Sequence, residues 1–146
     1  ESELHGISWN PLGDYLLATC SQDKTVALWD LRNLDGKLYS LNHQKPVKCI
    51  SWCPYNETVI ASAGEDRRVM IWDLSRISSD LDTPSNTGDD LDAAPPELLF
   101  IHGGHMASVR DAVWHGDERW LMCSVAADNS CHVWKPALRA QQSSEQ

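Results

Sequence analysis

TCSQDKTVALWD (residues 19–30), SAGEDRRVMIWD (62–73) and SVAADNSCHVWK (124–135) align without a gap. In each, a hydroxyl residue (Thr19, Ser62, Ser124) stands four positions before an aspartate (Asp23, Asp66, Asp128), and a tryptophan (Trp29, Trp72, Trp134) follows that aspartate by six. Further tryptophans lie upstream of each copy, at Trp9, Trp52 and Trp114. His43 and His105 each precede their aspartate by 23 residues. The first two copies are spaced by 43 residues and the next two by 62, which places about 19 additional residues between the second and third copies.

A period near 40–45 with a recurring Trp-Asp pair is the mark of β-propeller blades. Local patterns agree. VALWDL, VMIWDL and CHVWKP are short, β-rich and bounded by turn residues, and YLLATC, TVIASA and RWLMCSV supply the preceding strands. The expected fold class is therefore all-β: a WD40 β-propeller, here three blades of a longer ring. The expected units are a blade over 1–42 truncated at its N-terminal side, a blade over 43–104 interrupted by residues 77–96, a blade over 105–136 without its outer strand, and a disordered tail over 137–146. Three blades leave open sheet edges and uncovered blade faces, so an isolated chain is expected to self-associate through them. Each His, hydroxyl, Asp and Trp set is expected to be buried and mutually hydrogen-bonded, since a buried aspartate must be satisfied. A Ser-His-Asp hydrolase triad uses the same residue types. Repetition of the set argues for a structural role, and no unpaired nucleophile, base and acid remain once the sets are assigned. The chain is read as no enzyme.

Composition narrows the partners. A formal charge of −9 opposes direct contact with nucleic acid or anionic membrane surfaces and suits a basic protein. The five cysteines (20, 49, 53, 123, 131) form no CxxC and read as reduced thiols in small apolar positions, not as metal ligands. No metal or cofactor is expected. No apolar run approaches the length of a membrane span, and no secretory signal stands at Glu1.

The stretch ISSDLDTPSNTGDDLDAAPPE (77–97) holds six acids and no base. It runs directly into Leu98-Leu99-Phe100-Ile101, expected to be the outermost strand of the second blade. The sibling strand KLYSLNH (37–43) alternates apolar and polar residues, whereas LLFI is apolar on both sides. The solvent-facing side should therefore be covered, by an amphipathic helix carrying Arg or Lys or by another part of the same protein.

DKTVALWDLRNL (23–34), PYNETVIASAGEDRR (54–68), VMIWDLSRI (69–77) and, above all, PPELLFIHGGH (95–105) resemble the histone-binding WD-repeat family, the small retinoblastoma-binding and chromatin-assembly-factor subunits. The resemblance spans nearly the whole chain except 78–94 and the tail. It implies a seven-bladed ring of which these are the C-terminal three blades, no catalysis, and a nuclear, also cytoplasmic, scaffold that chaperones histones H3–H4 and joins other chromatin-complex subunits. It implies that the acidic loop and apolar edge take the first helix of histone H4. Phe100 and Ile101 match the family's apolar floor and Asp90 one of its two loop aspartates. The second aspartate falls near Ala93, so Asp89 or Asp92 stands in for it. With Glu97 and Leu98, these are the candidate histone-binding residues. On the top face the match is poorer: Pro46 and Lys48 replace an acid and an aromatic, Ser108 replaces a lysine and His5 an amide, while Glu3 keeps its acid. Capture of a basic histone H3 tail there is expected to be altered or lost. A generic interaction scaffold, such as a ubiquitin-ligase substrate receptor, is the competing reading; charge reversal in the insertion separates the two.

Overall fold

The computed structural model describes residues 2–77 and 94–137, which form three antiparallel sheets in chain order. The first contains β1 (Leu4–Trp9), β2 (Leu16–Ser21), β3 (Thr25–Asp30) and β4 (Tyr39–Asn42). The second contains β5 (Val47–Trp52), β6 (Val59–Gly64), β7 (Val69–Asp73) and β8 (Leu98–His102), with a 3-10 turn, Leu74–Arg76, after β7. The third contains β9 (Val109–Trp114), β10 (Met122–Ala126) and β11 (Cys131–Trp134). Each sheet is a meander whose neighbours in space are neighbours in sequence, as expected of propeller blades. Among the described residues, no helix is long and apolar enough to cross a membrane.

The repeated aspartate has a local task that explains its spacing. It sits in the hairpin turn between the second and third strands of each sheet. One carboxylate oxygen accepts the backbone N–H two residues on, from Thr25 at 3.1 Å, Arg68 at 3.3 Å and Ser130 at 3.0 Å. The residue between is left-handed each time: φ is 72° at Lys24, 63° at Arg67 and 62° at Asn129.

The second sheet is apolar on both faces because the other two sheets cover it. Ile60, Met70 and Trp72 join Val26, Leu28 and Leu41 in one core against the first sheet. Val59, Ala61, Val69 and Ile71 join Val109, Trp114 and Met122 in another against the third. Period-2 alternation along β6 and β7 thus divides one strand between two cores. Close approach fixes Gly64: a Cβ there would meet the Pro46 carbonyl oxygen at 2.1 Å. Cys20, Cys49 and Cys53 are buried in these cores, and burial pushes the Cys20 thiol up to about 11 and that of Cys49 to about 12.

Candidate functional site

Two places gather the residues that the sequence singles out: the repeated hydrogen-bonded sets and the outer edge of the second sheet. In the second repeat, Asp66 Oδ2 accepts from His43 Nδ1 at 2.8 Å. Ser62 Oγ lies 2.6 Å from His43 Nε2 and accepts the Trp72 indole N–H at 2.7 Å. With its proton on Nδ1, His43 takes the Ser62 hydroxyl proton at Nε2, so every donor and acceptor is used. The order Asp-His-Ser matches that of a hydrolase triad, but Ser62 is fully buried and its oxygen is occupied by the indole. No substrate can reach it, and the set acts as a structural clamp.

The third repeat corrects the expectation that His105 meets Asp128 directly. His105 Nε2 lies 2.7 Å from Ser124 Oγ, which accepts from Trp134 Nε1 at 3.1 Å. On its other side, however, His105 Nδ1 meets Ser130 Oγ at 2.8 Å, and Ser130 donates onward to Asp128 Oδ1. The residue two after the aspartate decides this: a hydroxyl at Ser130 interposes, whereas Arg68 does not. Thr25 fills that position in the first repeat, donating to Asp23 Oδ1 at 2.6 Å, while Trp29 donates to Thr19 Oγ1 at 2.9 Å. The Ser130 hydroxyl, chiefly, holds Asp128 down at about 2. Burial, followed by the charge of His132, lowers His105 below its usual value.

β8 is the outermost strand of the second sheet. Of the two covers expected for its apolar side, an amphipathic helix or another part of the same protein, the two-core arrangement supplies the second. Leu98 packs toward the first sheet, and Leu99 and Phe100 pack toward the third. A register shift opposite Ile71 and Trp72 makes this possible, because Leu99 falls between the paired residues Leu98 and Phe100. Phe100 stacks on Trp134 with ring centroids 5.8 Å apart. Leu98, Leu99 and Phe100 are half-buried, and Ile101 remains 40% exposed. Glu97, expected to meet the ligand, is instead 7% exposed and accepts a hydrogen bond from the Tyr39 hydroxyl at 3.1 Å. Its backbone carbonyl accepts from Asp73 N–H at 2.7 Å, so Glu97 anchors the start of β8 to the first two sheets. Asp89, Asp90 and Asp92 lie outside the described residues.

On the rim carrying Lys48, that ammonium pairs with Glu65 at 3.1 Å and lies 3.2 Å from His5 Nε2, which in turn contacts Gln22 Oε1 at 2.8 Å. Ser108 has a buried hydroxyl without a partner among the described residues. A third grouping was not foreseen: His102, His105 and His132 bring their nitrogens within 4.8 Å of one another. The sequence signal for it was the pair of histidines in IHGGH, but His132 joins them only through the pairing of β10 and β11.

The sequence profile of the family described as "WD domain, G-beta repeat" matches residues 1–30, 36–73 and 96–135. Over 135 residues, 92% of this chain, the sequence is 53% identical to the RbAp48-related WD40 repeat-containing protein prw1 of Schizosaccharomyces pombe. The chain spans 30% of that relative's length.

Proposed function

This chain belongs to the WD-repeat family, and from that membership we propose that it is part of a non-enzymatic, chromatin-associated scaffold that binds the first helix of histone H4. One observation carries the reading. An apolar edge strand, with Ile101 40% exposed at its face, directly follows a segment of six acids and no base. Apolar anchors beside carboxylates suit an amphipathic helix bearing arginine or lysine. In this reading Asp89, Asp90 and Asp92 steer and orient the basic side chains, while Ile101 supplies the apolar contact on a strand that Leu98 and Phe100 seat against the neighbouring sheets. Glu97 holds the strand in place and does not meet the ligand. Likeness to an RbAp48-related protein supports the choice of a histone as partner, with H3 accompanying H4, other chromatin subunits on the remaining surfaces, and a nuclear location. The repeat units of this proposal are 1–42, 43–104 with its acidic insertion at 77–96, and 105–136.

Calorimetric titration with the first-helix peptide of histone H4 tests it. We expect wild type to bind and Asp89→Asn, Asp90→Asn and Asp92→Asn to weaken binding by about 1–3 kcal/mol for each carboxylate that pairs with a partly buried arginine. Binding that is absent in wild type, or unchanged in the triple variant, rejects the proposal.

A further inference from the structure

His102 and His132 face one another across the boundary between the second and third sheets. His102 closes β8, and His132 lies on β11. His102 Nε2 and His132 Nδ1 are 3.0 Å apart, and the two rings stand at 90°. Two nitrogens bound to one tetrahedral ion at about 2.0–2.1 Å lie roughly 3.3–3.4 Å apart, so a few tenths of an ångström separate the observed pair from a chelating one. We infer that His102 and His132 form a two-imidazole site for a borderline divalent cation of the zinc, nickel or copper type, which would tie the outer edges of two blades together.

Both rings are held in place before any ion arrives. His102 lies flat on the Trp134 indole, with centroids 4.3 Å apart and planes within 7°. His132 lies flat on His105 at 4.0 Å and 9°. Such fixed rings lose little freedom on binding. Gly104 keeps the approach open, since a Cβ there would meet His132 Cε1 at 3.2 Å and His102 Cε1 at 3.3 Å. His105 is not a third ligand. Ser124 and Ser130 hold its two nitrogens, and a ring stacked parallel to His132 shares no in-plane point with it where one ion can sit. Water or a partner's side chain completes the coordination. Imidazole donors favour these ions over magnesium and calcium.

Nickel quenching of tryptophan fluorescence is the direct readout, because Trp134 touches His102. The full chain is used in a Cys131→Ser background, since Cys123 and Cys131 bring their sulfurs within 3.4 Å and compete for zinc. We expect saturable one-to-one quenching by Ni2+, its reversal by Zn2+, and a rise in thermal midpoint with Zn2+. His132→Gln and His102→Gln should each weaken Ni2+ binding by at least about tenfold, and His115→Gln should leave it unchanged. Circular dichroism establishes that each variant is folded; if loss of the indole stack unfolds His102→Gln, His132→Gln decides. Quenching that does not saturate, or that survives in folded His132→Gln with unchanged affinity, overturns the inference.

Discussion

The Ser62 hydroxyl joins two buried rings, accepting from Trp72 and donating to His43. Ser62→Ala orphans both in a fully buried site and is expected to cost about 2–4 kcal/mol in urea unfolding. In the first repeat, Thr19→Val orphans only the half-buried Trp29 N–H, and about 1 kcal/mol is expected. Equal costs would mean that the two sets are alike and that His43 adds nothing. The histidines also set a pH dependence. His102 and His105 both sit below 6.5 in the fold, each chiefly through burial. As pH falls through 6.5 the unfolded chain binds protons before the folded one, so stability declines until the folded values are passed. Asp128, at about 2 when folded against 3.8 ordinarily, acts in a separate window: its contribution is complete above 3.8 and is lost as pH falls toward 2. Thermal midpoints should therefore show two descending steps on acidification. Asp128→Asn should shrink the lower one. A flat profile between about pH 7.5 and about pH 5 would contradict the histidine step.

At the scale of an element, β8 faces inward and outward at once. Phe100 fills the seam between the second and third sheets and stacks on Trp134, whereas Ile101 projects from it. Phe100→Ala is expected to lower stability by about 2–4 kcal/mol and to change peptide affinity only together with that loss. Ile101→Ser should stay within about 1 kcal/mol in stability, so any loss of histone-peptide binding in it reports contact directly. The reverse pattern would make Ile101 structural and move the proposed contact elsewhere. The repeats themselves were legible because each strand and turn is specified locally: the aspartate shapes a hairpin, the next residue goes left-handed, and the tryptophan follows at a fixed register. The role of β8 was only half legible. Its apolar run looked like an uncovered surface because a lone sheet has one wet face, but in a blade between two others neighbouring sheets cover most of it and Ile101 is the β8 residue left exposed. Burial of Glu97 depends on Tyr39, 58 residues away, and the place of His132 depends on sheet pairing. Contacts of that range leave no spacing to read.

For the molecule as a whole, charge and shape pull in opposite directions. A net charge of −9 keeps copies apart, yet the first and third sheets carry apolar side chains on their outer faces. Leu4, Ile7 and Trp9 project from the first, Trp9 with 58% of its surface exposed, and Val113, Val125 and Val133 from the third, Val133 with 67%. Exposed apolar faces on sheets are surfaces for association. The 146-residue chain in isolation is therefore expected to self-associate in sedimentation, more strongly as concentration rises. Salt distinguishes this from the proposed histone contact. Screening relieves like-charge repulsion between copies, so self-association should strengthen as ionic strength rises. Attraction between the acidic segment and a basic helix should weaken under the same change. Ile7→Glu with Val133→Glu places a charge on each outer face, on the side of the first and third sheets turned away from the second, and should return the chain to a monomer while leaving the peptide affinity intact. A chain that stays monomeric at high salt would mean that these faces are too small or too twisted to pair. A charged double variant that loses peptide binding while remaining folded would show that the peptide site draws on the assembly and not on β8 alone.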